Sequence, residues 1–153
     1  MAIGVCRSMK KIIVLLLVLA YSCKETDCSK QACDEIMMAD KTMNDLAEKE
    51  GFHKTLLQYA DENVIKPNEG ELPVIGKKLV EMKWANKSDT KQISWNAIRA
   101  EASTAGDFGF TFGYWEFITK DTTLYGNYCT VWKRQKDGRW KFVFDGGNNT
   151  PKP

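Results

Sequence analysis

Residues 105–116 read Ala-Gly-Asp-Phe-Gly-Phe-Thr-Phe-Gly-Tyr-Trp-Glu, an aromatic stretch with a period of two. Neighbouring side chains of a strand point to opposite faces, so one predicted face carries Phe108, Phe110, Phe112 and Tyr114. The opposite face carries Gly109, Thr111, Gly113, Trp115 and Phe117. Because aromatic residues occur on both faces, the stretch predicts a strand in a sheet that is covered on both sides.

Period-two patterns continue on either side of this strand. They predict strands over residues 93–102, 108–119, 122–134 and 139–145, with the turn Lys136-Asp137-Gly138 before the last. Upstream, apolar spacings of three and four predict a long helix from Asp34 and a shorter one ending at Tyr59, interrupted at Gly51. A polar connection over 61–71 and a third helix over 72–83 are also expected. Three helices before an antiparallel sheet indicate an α+β fold.

Two motifs carry a resemblance to a known family. Ala105–Glu116 resembles the "SGDLGYTYGRW" signature of a branch of the nuclear transport factor 2-like superfamily. The residues from Gly126 to Asp145 resemble that branch's "G-x-Y-x-x-x-W-x-x-x-x-D-G-x-W-K-x-x-x-D" ending. The resemblance covers residues 34–148. It implies N-terminal helices packed in a strongly curved antiparallel sheet, a cone-shaped α+β barrel that is often a homodimer through its outer sheet face.

Composition limits the function classes open to the chain. Its 153 residues suit one domain. From Cys23 onward there are 19 basic and 20 acidic residues, so bulk charge gives no support for a nucleic-acid partner. His53 is the only histidine of the sequence, which excludes sites that need two imidazoles. We expect neither a metal nor a cofactor.

The N-terminus resembles a bacterial lipoprotein signal peptide. Met9-Lys10-Lys11 precedes the apolar run Ile12–Ala20, which is too short to span a bilayer core of about 30 Å. Ala20-Tyr21-Ser22 then leads to Cys23, the position that such a signal lipidates, although Ala20 replaces the commoner Leu. An ordinary secretory peptide is the alternative. Either way, the sequence predicts an exported domain.

This resemblance sets the expected domain boundaries. Residues 1–22 form the signal peptide, 23–33 a polar tether, 34–148 the folded domain and 149–153 a C-terminal tail. A lipid on Cys23 would anchor the domain to a membrane of the bacterial cell envelope. In that oxidising setting a Cys28–Cys33 disulfide is plausible, although sequence alone does not fix the connectivity. We expect Cys129 to be a small buried strand residue.

The segment Tyr59–Pro67 bears on isomerase activity. It resembles the "YADDATVEDP"-like segment in which isomerases of the superfamily place their general base, an acid directly before proline. Here the segment is one residue shorter and Lys66 stands at that position. A lysine cannot act as a carboxylate base, and we expect its stem to extend to solvent. This departure argues against isomerase chemistry by that mechanism.

Asp107 is the candidate catalytic acid. It opens the aromatic strand between Gly106 and Gly109. If its carboxyl faced an apolar cavity, desolvation would raise its pKa and make it a usable acid or base near neutrality. The alternative is a structural role in which Asp107 fixes the turn through hydrogen bonds to the backbone.

Aromatic residues supply the candidate ligand contacts, which are Tyr59, Trp95, Trp115, Tyr128, Trp132 and His53. The five Tyr and Trp residues also fit a place in the core or in a dimer interface, and His53 also fits a partly exposed position on its helix. Three functions stay open at this point: a module that binds a small apolar or aromatic molecule, a ketosteroid isomerase-like or polyketide cyclase-like enzyme, and a dimeric interaction protein. We expect the binding module, because aromatic residues are dense and the acid before Pro67 is missing.

Overall fold

The computed structural model describes residues 29–153, and its first element is the long helix expected from the sequence. Helix α1 spans Ser29–Glu50, and Ile36, Met43 and Ala47 are buried along one of its faces. These residues recur at spacings of seven and four, which lie on one face of a helix with 3.6 residues per turn. The buried face packs on the sheet and supplies part of the core.

Gly51 separates α1 from helix α2, which spans Phe52–Tyr59. Its φ of 108° lies in a region that favours glycine, and a Cβ there would come 2.4 Å from the Oδ2 atom of Asp89. The Asp89 carboxylate accepts hydrogen bonds from the backbone N–H groups of His53 (2.8 Å) and Lys54 (3.0 Å). It therefore caps the start of α2. The interruption predicted at Gly51 is confirmed.

The described residues also form one six-stranded sheet and a third helix. The strands are β1 (Ala60–Asn68), β2 (Glu71–Ile75), β3 (Ile93–Ala102), β4 (Phe108–Ile118), β5 (Thr123–Arg134) and β6 (Trp140–Thr150), and helix α3 (Lys77–Trp84) lies between β2 and β3. The strand order is β2-β1-β6-β5-β4-β3. Only the β1–β6 pair of this sheet is parallel. The sheet is curved and does not close. Because helices pack on this sheet, the α+β class is confirmed.

Two local predictions are wrong. The polar connection predicted over residues 61–71 is mostly strand β1, and residues 72–75 of the predicted third helix belong to strand β2. β1 pairs with β6, with Ala60 opposite Phe142 and Ile65 opposite Phe144. Partners nearly 80 residues away along the chain therefore decide this structure, because strand formation depends on its neighbours more than on local composition.

The boundaries of the domain also differ from those expected. Residues 29–33 belong to α1, so part of the predicted tether is helical. The predicted signal peptide over 1–22, the lipidation site Cys23 and the rest of the tether lie outside the described residues. At the other end β6 continues to Thr150, so two residues of the predicted tail are in the sheet. No helix within residues 29–153 is long and apolar enough to cross a membrane.

The structure distinguishes the two faces of the aromatic strand β4. Gly109, Thr111 and Gly113 are buried and face the helices, whereas Phe108 is 44% and Tyr114 38% exposed. The row of phenylalanine side chains with Tyr114 is thus the outer face of the sheet. The core lies under the inner face, where the fully buried apolar side chains include Ile36, Leu56, Val64, Trp132 and Phe142.

Candidate functional site

A cavity of about 230 Å³ lies between the helices and the inner face of the sheet. Its lining is partly apolar and aromatic, from Met43, Phe52, Leu56, Ile93, Trp95, Trp115 and Tyr128. Charged and polar groups come from Lys66, Glu69, Thr130, Asp145, Asn148 and Asn149. Pockets for drug-sized ligands measure about 300–1,000 Å³, so this smaller cavity suits a molecule built on a single ring.

An ion pair between Lys66 and Asp145 forms the charged part of the cavity wall. Lys66 Nζ donates hydrogen bonds to the Asp145 carboxylate and, at 3.1 Å, to the Asp145 backbone carbonyl. Thr130 Oγ1 donates to the other carboxylate oxygen of Asp145 at 2.7 Å. The side chains of Lys66 and Asp145 are only 17% and 12% exposed. The expectation that Lys66 extends to solvent is wrong, because Asp145 compensates its charge within the wall.

Trp115 reaches the cavity because a glycine lies opposite it. Trp115 on β4 pairs with Gly126 on β5, and a Cβ at residue 126 would come 2.1 Å from the indole Cε2 atom. The indole Nε1 donates a hydrogen bond to the Asn127 carbonyl at 3.1 Å. The missing side chain at Gly126 and this hydrogen bond together fix the ring as part of the cavity wall.

Behind the aromatic wall lies Asp40, which is 1% exposed. Its Oδ1 atom accepts hydrogen bonds from Trp95 Nε1 and from the Tyr128 hydroxyl, both at 2.9 Å. Its Oδ2 atom accepts one from Thr111 Oγ1 at 2.5 Å, and Thr111 Oγ1 in turn accepts from Trp132 Nε1 at 2.9 Å. Buried carboxylates require such partners. This network joins α1 to strands β3, β4 and β5 and holds two cavity residues, Trp95 and Tyr128.

Burial sets the ionisation of this network. It raises the pKa of the Asp40 carboxyl above its ordinary value, and hydrogen bonds from Thr111, Tyr128 and Trp95 oppose that rise. Burial also raises the pKa of Tyr128, and the nearby Asp40 charge adds to the effect. The Tyr128 phenol therefore stays protonated at neutral pH and donates a hydrogen bond to Asp40.

The six candidate ligand contacts divide into two groups. Trp95, Trp115 and Tyr128 line the cavity together. Trp132 is 0% exposed and belongs to the core, where its ring centroid lies 6.4 Å from that of Tyr59. Tyr59 itself lines a separate, open groove. The structure therefore brings three of the candidates to one site and places Trp132 and Tyr59 elsewhere.

His53 is the sixth candidate, and it too lies outside the cavity lining. Its ring stacks on Trp84 with 4.5 Å between centroids, and its Nδ1 atom is 3.7 Å from the Asp89 carboxylate. Burial lowers the pKa of His53, and the charge of Asp89 opposes that shift. The imidazole thus packs between α2 and α3.

Asp107 lies in the exposed turn between β3 and β4. Ser103 Oγ donates to the Asp107 carboxylate at 2.7 Å, and the Asp107 backbone N–H donates to Ser103 Oγ at 3.3 Å. The Asp107 carbonyl accepts the backbone N–H of Arg134 at 2.8 Å. The carboxylate thus bonds within the turn, as the structural alternative expects, but to a side-chain hydroxyl and not to backbone N–H groups. Asp107 is not part of the cavity lining, so its position gives no support to a catalytic role.

The cysteines bear on metal and disulfide chemistry. Cys33 lies in α1, and its thiol donates to the Ala100 carbonyl at 3.7 Å, whereas its predicted disulfide partner Cys28 lies outside the described residues. Cys129 is half-buried in β5, and burial raises its pKa. Across residues 29–153 no group of three or more His, Cys, Asp or Glu side chains is placed to hold a metal ion.

Sequence reasoning missed the two aspartates that organise the site. Asp40 lies on the same face of α1 as Ile36, Met43 and Ala47, and an acid within an apolar helix face was the signal that could have identified it. Asp145 was noted only as the end of a motif. Its contact with Lys66, 79 residues earlier, depends on the parallel β1–β6 pairing and has no local signal.

Comparison with known proteins supports the fold. No protein-family profile and no curated protein matches the chain. Solved structures do match it at low sequence identity. A ketosteroid isomerase-like protein from Erwinia carotovora atroseptica has a TM-score of 0.62 and 10% identity, and the match covers 76% of this chain and 95% of that one.

Two further structures agree. An NTF-2 like protein of unknown function from Shewanella oneidensis has a TM-score of 0.59 and 15% identity, with coverage of 74% and 96%. An NTF2-like protein with a cystatin-like fold from Novosphingobium aromaticivorans has a TM-score of 0.57 and 12% identity, with coverage of 94% and 90%. Identities this low carry information about fold and not about activity. The fold of this chain is that of the nuclear transport factor 2-like superfamily.

Proposed function

We propose that this domain binds a small, partly apolar molecule in the cavity between its helices and the inner face of the sheet. The observation that carries the proposal is the composition of the cavity wall. Aromatic and aliphatic side chains surround one buried ion pair, Lys66–Asp145. Small-molecule sites combine an apolar lining with a few placed polar groups in this way.

Hydrogen bonds and close packing also hold the aromatic side chains of the cavity wall in place. Asp40 fixes Trp95 and Tyr128 through hydrogen bonds, and the Asn127 carbonyl with the gap at Gly126 fixes Trp115. A wall that is already ordered loses little side-chain entropy when a ligand binds. The proposal assigns binding to this cavity and no reaction.

Calorimetric titration with three single-ring compounds tests the proposal: 2-phenylethanol, 2-phenylethylamine and 3-phenylpropionate. We expect saturable binding of at least one. Ile93→Trp places a large ring at the cavity wall and should abolish that binding. Ile98→Trp is the matched control, because Ile98 is 54% exposed and outside the lining. Absence of saturable heat with all three compounds, or equal loss in both variants, would contradict the proposal.

We further propose that two copies pair through the outer face of the sheet. That face presents Phe108, Phe110, Phe112 and Tyr114 as one row, partly open to solvent. Exposed apolar rows of this kind favour association. Light scattering during size exclusion should give twice the mass of the chain, and Phe112→Lys should give the monomer. A monomeric wild-type protein would contradict this proposal.

The proposed location is the bacterial cell envelope, with the lipid on Cys23 as the membrane anchor. Its support is the sequence of the N-terminus alone. In bacterial cells fed labelled palmitate, the full-length chain should incorporate label, and Cys23→Ser should not. Cys28→Ser is the control, since Cys28 lies five residues further along. Label that persists in the Cys23→Ser variant would refute this anchor.

A further inference from the structure

The Lys66–Asp145 pair has hydrogen-bonding capacity left over in the cavity wall. Asp145 accepts one hydrogen bond at each carboxylate oxygen, from Thr130 and from Lys66. A carboxylate has about four lone-pair positions, so about two are unused by the described residues. Lys66 directs hydrogen bonds to the carboxylate and carbonyl of Asp145, which leaves about one of its three N–H donors.

The aromatic wall offers no competing donors. The N–H of Trp95 and the O–H of Tyr128 both bind Asp40, and the N–H of Trp115 binds the Asn127 carbonyl. These three side chains therefore meet a ligand mainly with aromatic surface. The wall also carries Glu69, Asn148 and Asn149, and the Lys66–Asp145 pair is the ion pair of the lining.

The charges of the pair restrict which polar group can sit there. An ammonium placed on Asp145 would lie beside the ammonium of Lys66, and a carboxylate placed on Lys66 would lie beside that of Asp145. Each charged group therefore gains one attraction and suffers one repulsion, and it also loses its hydration. A hydroxyl avoids both costs, since it can donate to Asp145 and accept from Lys66 at once.

We propose that the Lys66–Asp145 pair makes the cavity selective for an uncharged, single-ring aromatic molecule that carries a hydroxyl group. The hydroxyl bridges the Asp145 carboxylate and the Lys66 ammonium, and the ring packs against Trp95 and Trp115. This inference rests on the proposed function of the cavity. It adds that the ion pair discriminates against the charged relatives of the ligand.

The three compounds named above form a matched series, since they share a phenyl ring and differ in the charge of their polar end. At pH 7 we expect the wild-type protein to bind 2-phenylethanol about tenfold more tightly than either charged compound. A charged compound that binds as tightly as the alcohol, or more tightly, would overturn the inference while leaving the proposed function intact. If none of the three binds, the proposed function fails and the inference fails with it.

Single substitutions should reverse the preference in opposite directions. Lys66→Met leaves the Asp145 carboxylate without its cation, so 2-phenylethylamine should become the tightest of the three ligands. Asp145→Asn leaves the Lys66 ammonium, so 3-phenylpropionate should become the tightest. Lys77→Met is the control, because Lys77 pairs with Glu62 at 3.6 Å outside the cavity and should leave the wild-type order unchanged.

The double variant Lys66→Met/Asp145→Asn keeps the test decisive where a single variant fails to fold. It removes both charges of the pair, so neither partner is left as an unpaired ion. We expect the two charged compounds to become equal to each other in affinity and to gain nothing from either substitution. Circular dichroism of each variant checks the fold. Unchanged ligand order in every folded variant would show that the ion pair does not set selectivity.

Discussion

Asp40 and Asp145 are both buried aspartates under the same sheet, yet they are stabilised by different means. Asp40 receives three hydrogen bonds from neutral donors, the side chains of Trp95, Thr111 and Tyr128. Asp145 is paired with the cation Lys66 and receives one neutral hydrogen bond. Asp40 lies behind the cavity wall, whereas Asp145 is part of it. The difference indicates that Asp40 stabilises the cavity wall, whereas Asp145 is placed to contact the proposed ligand.

This comparison also separates stability from recognition. Three donors saturate much of the Asp40 carboxylate, so its removal would leave several buried polar groups without partners. Removal of Asp145 would leave mainly Lys66, whose ammonium lines the cavity and is partly exposed, so water or the anion of a ligand can replace the lost carboxylate. We therefore expect substitutions at Asp40 to affect folding first and substitutions at Asp145 to affect ligand selectivity first.

The largest expected effect is the loss of stability in Asp40→Ala. Three buried donors would lose their acceptor and a small cavity would open, which should lower the free energy of unfolding by about 3 kcal/mol. Asp145→Ala should cost clearly less. Asp45→Ala controls for the loss of an acid from the same helix, since the Asp45 side chain is 46% exposed and forms an i,i+4 ion pair with Lys41.

Urea unfolding followed by circular dichroism gives the required values for the three variants. If Asp145→Ala proved as destabilising as Asp40→Ala, the separation between a structural and a ligand-facing aspartate would be lost. A neutral effect of Asp40→Ala would show that its hydrogen bonds only balance the desolvation of its carboxylate.

The second largest loss of stability is expected from a substitution in the cavity wall. Gly126→Ala places a Cβ where the ring of Trp115 now lies, so the ring must move. Overpacking of this kind costs about 1–3 kcal/mol, and the displaced ring should also weaken binding of 2-phenylethanol. The double variant Gly126→Ala/Trp115→Phe has a smaller ring and should recover much of the stability. Absence of such recovery would mean that Gly126 is required for the strand and not for the position of Trp115.

Much of the fold could be predicted because its signals are local. The alternation of Phe108, Phe110, Phe112 and Tyr114 identifies β4, and the spacing of apolar residues identifies α1. β1 was missed since its residues are polar and include Pro67, which discourages a strand assignment. Its partner β6 supplies the pairing that makes it a strand.

The site was less predictable than the fold because its geometry depends on residues that are far apart in the sequence. Trp95, Trp115 and Tyr128 line the cavity, and their role as ligand contacts stays a prediction. The sequence did not separate them from Trp132, because residues 128 and 132 have the same parity in β5 and both face inward. Only the position of α1 and α2 decides which of these rings is covered.

The smallest expected effect is a pH dependence of stability that comes from Asp40. Burial raises the pKa of Asp40 in the folded protein above the value of about 3.9 expected in the unfolded chain. Between these two pKa values the folded protein binds the proton that the unfolded chain has lost. Stability from this residue therefore falls as pH rises through that window, by at most about 1.4 kcal/mol per pH unit.

Comparison with Asp40→Asn isolates this contribution from the other carboxylates. Those of Glu35 and Asp89 have lowered pKa values and act in the opposite direction. The wild-type free energy of unfolding minus that of Asp40→Asn should decrease from pH 4 upward and then level off. A difference that stays flat across this range would show that burial does not shift the ionisation of Asp40, and the picture of Asp40 as a desolvated structural carboxylate would then have to be abandoned.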